Sequence, residues 1–298
     1  MFEFHPVSLA DREWAADRMR CTGFRGSDYT FANLYNWAEV YQICIAKMND
    51  YLIIRSGEGP FGYLFPAGEG DVRPVIDAIA QDSARQGHSL LLYNLPRQAV
   101  DTLEELWPGR FSFREERNNF DYIYTRESLM TLAGKKLHGK RNHIARFKGN
   151  NPDWSYEPLT PENLTEARAM NTEWCRQNDC PNSHSLQKEA CAVRRAFENF
   201  EAEGLVGGLL RAGGRVVAYT MGSPVTADTF VVHIEKAFAE IQGAYPMINQ
   251  QFVTHALEGY TYVNREDDVG DIGLRKAKLS YQPTMLYERF EAFEKEKA

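Results

Sequence analysis

The sequence predicts a protein of the α/β class, α+β in its layering, with two domains of similar design. Three observations support this prediction. Helical and extended patterns recur in the same order in both halves of the 298 residues. A turn-rich break occurs at 150–152, near the middle of the chain. Hydrophobic residues make up 43% of the chain and charged residues 25%, a composition that supports two packed cores. We therefore expect one domain over 1–150 and another over 151–298.

Apolar periodicity and turn residues mark the elements of the first half. A capping box at 8–11 predicts a helix that ends near Arg20. Apolar residues at helical spacing predict further helices over 72–86 and 97–107, the former closed by Gly87. Runs of β-branched and aromatic residues predict strands over 40–46, 51–55, 61–65, 89–93, 111–113 and 120–124.

The second half contains the same kinds of element in the same order. Thr160 and Pro161 begin a helix that extends to about Gln177, and Ser185 caps the next. The glycine pair in 212–214 predicts a hairpin. The remaining predicted elements are helices over 185–204, 245–258 and 274–279, and strands over 205–210, 215–221, 230–234, 260–263 and 285–293.

Each half thus contains a helix, a three-strand meander, a helix, a strand, a helix and a strand. This order gives a mixed, mostly antiparallel sheet flanked by helices. Acetyltransferase-like domains of the GNAT type share the order, and two of them in tandem resemble the Fem-type aminoacyl transferases. The resemblance implies two tandem GNAT-like acyltransferase domains.

Composition and short motifs exclude several function classes. The net charge is −7, from 34 basic and 41 acidic residues, which argues against coating nucleic acid by bulk positive charge. We expect no signal peptide. The sequence contains no apolar stretch of membrane-spanning length and no motif of serine hydrolases, P-loop kinases, zinc proteases or dehydrogenases. Five cysteines without metal-ligand spacing predict no metal site and free thiols in a reducing cytoplasm: Cys21, Cys44, Cys175, Cys180 and Cys191.

A basic segment at 128–152 contains six lysines and arginines and no acidic residue. At helical spacing its polar side chains form one face of hydrogen-bond donors, suited to phosphate, carboxylate or an RNA end. The alternative is a solvated basic helix between the domains. The candidate donor- or phosphate-binding residues are Lys135, Lys136, His138, Lys140, Arg141, Asn142 and His143.

Glu235 lies near the end of a predicted buried strand and is a candidate general base. Strict alternation would place Val231, His233 and Glu235 on one sheet face and Lys236 on the other. A free carboxyl has a pKa of about 4.3, so a base at this position would need burial to raise its pKa. The alternative is a surface Glu–Lys pair, although adjacent strand residues point in opposite directions.

The junction at 241–246 follows this strand and begins the next helix. In coenzyme A-dependent GNAT domains the junction is a glycine-rich turn whose backbone N–H groups hold the pyrophosphate. Here Gly243 is present, but Tyr245 stands where a second small residue is expected, which argues against coenzyme A. Asn249 follows on the helix and either binds a ligand or faces solvent.

Two polar segments follow the strand at 260–263. The first contains four candidate substrate-binding residues: Asn264, Arg265, Glu266 and Asp267. Lys236, Tyr245 and Asn249, which lie earlier in the chain, are further candidates for substrate binding. The second contains three candidate phosphate-binding cations: Arg275, Lys276 and Lys278. Tyr281 follows one helical turn later and is a candidate general acid, the alternative being a tyrosine that only packs.

Two stretches resemble a known family. They are 120–143, with its Gly-Lys-Lys-Leu-His-Gly-Lys-Arg-Asn-His core, and 233–283, from His-Ile-Glu-Lys-Ala to Leu-Ser-Tyr-Gln-Pro. Both are similar to the phosphatidylglycerol lysyltransferase C-terminal-domain-like family, in its soluble, uncharacterised short form. The resemblance implies a tandem GNAT fold with the active cleft in the second domain. In membrane-bound relatives that domain moves lysine from aminoacyl-tRNA onto a lipid headgroup.

We therefore expect an acyl- or aminoacyltransferase that moves an activated carboxyl group onto an amine or hydroxyl. Glu235 would be the base, Tyr281 the acid, and backbone donors near the strand opening would stabilise the oxyanion. Aminoacyl-tRNA is the expected co-substrate, so tRNA is a candidate partner, with a small-molecule, peptide or lipid-headgroup acceptor. One alternative is an N-acyltransferase that uses acyl-coenzyme A. The other is a non-catalytic GNAT-like RNA- or ligand-binding protein.

Overall fold

Two mixed β-sheets with helices packed on them organise the chain. A computed structural model describes residues 2–295. The chain forms two compact units. The first contains the residues up to Asp121, Asp267–Gly270 and the residues from Leu286 on, and the second contains Tyr122–Glu266 and Asp271–Met285. Residues 122–150, which we expected in the first domain, therefore belong to the second unit.

Residues 2–115 form seven strands and five α-helices. The elements are β1 (His5–Pro6), α1 (Arg12–Cys21), α2 (Phe31–Asn36), α3 (Ala38–Tyr41), β2 (Cys44–Met48), β3 (Tyr51–Ser56), β4 (Gly62–Tyr63), β5 (Ala67–Gly68), α4 (Arg73–Arg85), β6 (Leu91–Leu95), α5 (Arg97–Leu106) and β7 (Phe111–Glu115). Helix α4 illustrates their amphipathic construction, because Val75, Ile76 and Ile79 share its fully buried face.

The remaining elements begin at residue 121. They are β8 (Asp121–Thr125), α6 (Arg126–Thr131), α7 (His138–Asn150), β9 (Ser155–Pro158), α8 (Leu164–Gln177), α9 (His184–Glu198), β10 (Val206–Ala212), β11 (Arg215–Pro224), β12 (Thr229–Ala237), α10 (Ala244–Ala256), β13 (Tyr262–Asn264), α11 (Ile272–Leu279), β14 (Met285–Tyr287) and β15 (Phe290–Glu294). The predicted final strand at 285–293 is thus two strands, interrupted at Glu288 and Arg289. The interruption lets Arg289 turn inward in the first unit, where its buried guanidinium pairs with Asp121 at 2.8 Å.

Both sheets are mostly antiparallel, as predicted, and each contains a parallel pair. The first follows the order β1-β2-β3-β4-β6-β15-β7, with β5 beside β3 and the parallel pair at β4–β6. The second includes the order β8-β13-β12-β11-β10-β9, with the parallel pair at β12–β13. Strand β8 follows β7 in the chain yet joins the second sheet, and β15 follows β14 yet joins the first. The prediction of two mostly antiparallel sheets flanked by helices is confirmed, while this assignment of β8 and β15 was not foreseen.

The parallel pair in the second unit is short and leaves an opening between its strands. Pairing covers only Thr229–Val231 of β12 and Tyr262–Asn264 of β13. Beyond it, β12 continues to Ala237 with β11 as its neighbour on one side. Glu235 therefore lies on a stretch of β12 that β13 does not cover.

The cysteine prediction needs one correction. Cys175, near the end of α8, forms a disulfide with Cys180, whereas we expected five free thiols. Helix α8 ends shortly after Cys175, and the chain returns within five residues, which brings the two side chains together. Among residues 2–295, Cys21, Cys44 and Cys191 take no part in a disulfide. Across residues 2–295, no helix combines the length and apolar character needed to cross a bilayer.

Candidate active site

An ion pair spans the opening between β12 and β13. Oε1 of Glu235 accepts a hydrogen bond from Nη2 of Arg265 at 2.8 Å. Oε2 of the same carboxylate accepts from Nδ2 of Asn249 on α10 at 3.0 Å. The Glu235 and Arg265 side chains are only 11% and 12% exposed. Sequence reasoning had selected all three residues, and the structure brings them into one centre.

A β-bulge in β12 determines the direction of the Glu235 side chain. Val231 pairs with Ser223 and Glu235 pairs with Thr220, so four steps along β12 match three along β11. Val231 and Glu235 therefore point to opposite faces of the sheet. Because the His233 ring bonds to Ser223, it lies on the Val231 face. The expectation that His233 and Glu235 share a face is wrong, since simple alternation ignores the extra residue.

Tyrosine rings surround the Arg265 guanidinium. Its central carbon lies 4.7 Å from the Tyr281 ring centroid and 5.8 Å from that of Tyr124. Burial raises the pKa of the Tyr281 hydroxyl, and Arg265 only partly opposes the shift. The phenol therefore remains protonated at physiological pH and can act as a hydrogen-bond donor.

The backbone around Arg265 is fixed by hydrogen bonds from two neighbouring elements. Its amide donates to the Tyr122 carbonyl at 2.9 Å, and its carbonyl accepts from Nζ of Lys278 at 2.6 Å. The Lys278 carbonyl in turn accepts from the Tyr124 hydroxyl at 2.7 Å. Lys278, expected among the phosphate-binding cations, is thus a buried anchor between α11 and the segment after β13.

A buried hydrogen-bond chain supports the next residue, Glu266. Nδ1 of His233 lies 2.8 Å from the Glu266 carboxylate, and Nε2 of His233 lies 2.8 Å from the Ser223 hydroxyl. The Glu266 amide donates to Oδ1 of the fully buried Asn264 at 2.7 Å. These bonds hold Glu266 in a left-handed backbone conformation, with φ of 56°. Glu266 and Asn264 therefore act in positioning the segment that contains Arg265.

Lys140 on α7 approaches the same centre. Its ammonium lies 3.9 Å from the centroid of the Tyr281 ring. Burial and, to a smaller extent, the charge of Arg265 lower the pKa of Lys140 to about 8, and Glu235 partly opposes the shift. The side chain also lines a cavity of about 190 Å³ at the start of α10, together with His143, Phe238, Ala239, Ile241, Gly243, Ala244, Tyr245 and Pro246.

Helix α7 lies against the turn that begins α10. Gly243 has φ of 86°, and a Cβ on it would come within 2.2 Å of the His143 carbonyl oxygen. Only glycine accepts both this backbone conformation and this close approach. The packing of α7 on the turn therefore requires glycine at position 243.

Lys236 and Tyr245 belong to a second polar cluster. Nζ of Lys236 bonds to Glu189 at 2.6 Å and lies 3.9 Å from the Trp174 ring centroid. The Trp174 indole donates to the Tyr245 hydroxyl at 3.3 Å. This cluster occupies the face of β12 opposite Glu235, which agrees with the argument against a Glu235–Lys236 pair.

The other basic residues divide into exposed and anchored groups. Lys135, Lys136 and Lys276 are exposed. Arg141 donates to the Leu132 and Gly134 carbonyls and so holds the turn before α7. The remaining predicted residues have these positions: His138 contacts Asn142 at 3.1 Å, Arg275 is half-buried on α11, and Asp267 belongs to the first unit.

Sequence reasoning missed several side chains that build this region. Tyr124 lies in a segment predicted as a buried strand, and nothing in its spacing indicates contact with Tyr281. Trp174 and Glu189 lie on α8 and α9, far from Lys236 in the sequence. The hydrogen bond between Ser223 and His233 could not be predicted from the sequence, because it depends on the bulge in β12.

The centre of Glu235, Arg265 and Asn249 lies at the opening beside the parallel strand pair of a mixed sheet that is flanked by helices. The chain belongs to the phosphatidylglycerol lysyltransferase C-terminal family, whose sequence profile matches residues 20–293. This match confirms the resemblance seen in the sequence.

Individual proteins are similar to the chain in sequence or in fold. The chain is similar to a conserved protein of unknown function from Bacteroides thetaiotaomicron VPI-5482, with 40% identity, a TM-score of 0.95, and coverage of 99% of this chain and 100% of that one. Its fold is similar to L-PGS from Bacillus licheniformis, with 16% identity, a TM-score of 0.61, and coverage of 88% and 91%. Uncharacterized protein MYCGA3080 from Mycoplasmoides gallisepticum is 26% identical over 178 residues. That match spans 57% of this chain and only about half, 54%, of the relative's length.

Proposed function

We propose that the protein is an aminoacyltransferase that moves an amino acid from aminoacyl-tRNA to a hydroxyl or amine. The observation that carries this proposal is the Glu235–Arg265–Asn249 centre at the strand opening. Among residues 2–295, Nη1 of Arg265 and Oδ1 of Asn249 are buried and have no hydrogen-bond partner. Such orphaned groups are costly in a folded protein, which favours a ligand that satisfies them.

The centre has groups for each part of an acyl transfer. The Arg265 guanidinium is suited to stabilising the negative oxygen that forms when an ester carbonyl is attacked. The Glu235 carboxylate and the Asn249 amide can orient the attacking group. The Tyr281 hydroxyl, kept protonated by burial, can stabilise the leaving oxygen by donating a hydrogen bond to it.

The surroundings of Gly243 favour an RNA donor over coenzyme A. In coenzyme A-dependent GNAT domains the corresponding turn holds a pyrophosphate, but here α7 packs directly on that turn. Exposed Lys135 and Lys136 precede α7, where they can contact backbone phosphates of an RNA end. A basic helix at this position therefore supports tRNA as the donor.

The proposal is tested by amino-acid transfer from radiolabelled lysyl-, alanyl- and glycyl-tRNA to amine and hydroxyl acceptors, including phosphatidylglycerol in micelles. We expect transfer by the wild type, a loss of about 100-fold or more in Glu235→Gln, and no change in the exposed control Glu258→Gln. Absence of transfer from all three tRNAs would overturn the proposal.

Two further measurements identify the alternatives. Micromolar binding of coenzyme A in calorimetry, with acyl-coenzyme A turnover, would indicate an N-acyltransferase. Salt-dependent RNA binding that is equal in the wild type and in Glu235→Gln, without turnover, would indicate a non-catalytic RNA-binding protein.

A further inference from the structure

Lys140 differs from the other cations of the basic segment in its surroundings. Within residues 2–295 its ammonium makes no hydrogen bond and no ion pair, and it lies over the Tyr281 ring at 3.9 Å. Lys135 and Lys136, by contrast, are exposed to solvent, and Arg141 is bound to backbone carbonyls. A half-buried amine without a partner is poorly suited to permanent charge and well suited to gaining and losing a proton.

Glu235 is less available for proton transfer than the sequence suggested. Each of its carboxylate oxygens already accepts a hydrogen bond, one from Arg265 at 2.8 Å and one from Asn249 at 3.0 Å. Glu235 therefore holds the Arg265 guanidinium in place. A neighbouring side chain is the better candidate for the group that accepts the proton.

We propose that Lys140, in its neutral form, is the general base that takes the proton from the acceptor during transfer. This inference rests on the proposed aminoacyltransferase function and reassigns Lys140 from the phosphate-binding group. Its geometric basis is the unpartnered amine, which contacts the Tyr281 ring and lines the cavity at the start of α10. Glu235 then acts through Arg265 as a positioning residue.

The proton balance is complete for a hydroxyl acceptor. The O–H bond of the acceptor breaks, its proton moves to Nζ of Lys140, and the oxygen forms a bond to the carbonyl carbon of the aminoacyl ester. The ester bond to the tRNA ribose then breaks, and the leaving oxygen takes the proton back from Lys140. No proton is gained or lost overall. An ammonium acceptor first gives one additional proton to solvent.

The charges around Lys140 agree with a neutral amine. The titratable and charged groups that face it are Glu235 on β12, Arg265 after β13, Tyr281 after α11, and His143 and Tyr245 along the cavity. Burial and Arg265 together lower its pKa from 10.5 to about 8. A substantial fraction is thus unprotonated at mildly alkaline pH, and the conjugate acid is strong enough to return the proton.

The first test measures the amine directly, without any assay of transfer. Lysines are methylated with ¹³C-formaldehyde, and their resonances are followed by NMR against pH, with Lys140→Arg identifying the Lys140 signal. We expect this signal to titrate near pH 8, below the ordinary lysine value of 10.5. Titration of Lys140 near that ordinary value would overturn the proposal.

The second test measures the pH dependence of single-turnover transfer from aminoacyl-tRNA. Lys140→Arg keeps the positive charge but cannot act as a base, so we expect a loss of about 100-fold or more and no rise in rate around pH 8. Lys148→Arg, an exposed residue on the same helix, should retain the wild-type profile. A Lys140→Arg profile that still rises like the wild type would contradict the role.

Aminoethylation provides a rescue that a purely structural role would not show. Lys140→Cys treated with bromoethylamine acquires a thioether analogue of lysine whose amine is less basic. Activity should return with its pH profile displaced to lower pH, and the Lys148→Cys protein treated identically should show no displacement. If the wild type transfers nothing, the proposed function itself fails. If it transfers and Lys140 titrates near 10.5, only the role of Lys140 fails.

Discussion

His233 and Glu266 form a hydrogen bond of 2.8 Å, and Glu266 is the neighbour of Arg265 in the chain. The His233 ring is held from its other side by the Ser223 hydroxyl. The pair thus fixes the backbone turn from which the Arg265 side chain reaches Glu235. Activity should therefore depend on His233, although its ring lies on the opposite sheet face from Glu235.

Replacing His233 by alanine should disturb the position of Arg265. The change leaves the buried Ser223 hydroxyl and the Glu266 carboxylate without their partner, which should reduce the free energy of unfolding by about 1–3 kcal/mol. In transfer assays kcat should fall, while the KM for tRNA stays near the wild-type value. Urea denaturation and steady-state kinetics measure the two effects. His233→Gln, which can keep one of the two bonds, should recover part of kcat; equal kcat in the wild type and His233→Ala would refute the positioning role.

Gly243→Ala should separate α7 from the start of α10. The new Cβ would lie 2.2 Å from the His143 carbonyl oxygen at a φ of 86°, so the helix must move. We expect a destabilisation of about 1–3 kcal/mol and reduced transfer, because Lys140 moves with α7. Gly149→Ala is the matched control on α7, where a Cβ meets nothing within 4 Å and should stabilise the helix by up to about 1 kcal/mol. Equal melting temperatures for the two variants would contradict the close packing.

Tyr281→Phe removes the hydroxyl and keeps the ring, so it tests the role of the hydroxyl alone. Lys140 and Arg265 contact the ring, so the variant should fold with nearly the wild-type stability. Burial raises the pKa of Tyr281, so its hydroxyl remains a donor throughout the usual assay range. We expect kcat to fall by about 100-fold with an unchanged shape of the pH profile. Tyr260→Phe, whose ring packs on Phe230, should retain full activity. An unaltered kcat in Tyr281→Phe would show that the tyrosine only packs.

The sequence predicted the elements better than it predicted their partners. Periodicity located α4, α5 and α10 within a few residues, because each buries a regular apolar face. It could not assign β8 or β15 to their sheets, because strand pairing across more than a hundred residues leaves no local pattern. The sequence selected Glu235, Arg265 and Asn249 as candidates, and the structure brings these three residues into contact. Their geometry could not be predicted, since the bulge in β12 and the approach of α7 to Gly243 are tertiary features.

The Cys175–Cys180 disulfide can be tested by counting thiols. With the disulfide formed, three of the five cysteines should react with Ellman's reagent after denaturation, and all five should react after reduction. Because the bridge closes a loop of only five residues, its removal should cost at most about 2 kcal/mol of unfolding free energy. Five reactive thiols in protein kept from reductant would show that the bond does not form.

Lys140→Met should stabilise the protein at neutral pH while abolishing transfer. In the folded protein the pKa of Lys140 is about 8, below its ordinary value of 10.5. Between these two values the unfolded chain binds more protons at this site, so the wild type gains stability as pH rises from 8 towards 10.5. Methionine avoids the cost of the buried charge that the wild type bears below pH 8. The stability difference between variant and wild type should therefore be largest at pH 7 and shrink progressively up to pH 10. Melting temperatures at several pH values measure it, with exposed Lys148→Met expected to show no such trend. A difference that stays constant with pH would mean that Lys140 keeps its ordinary pKa in the folded protein.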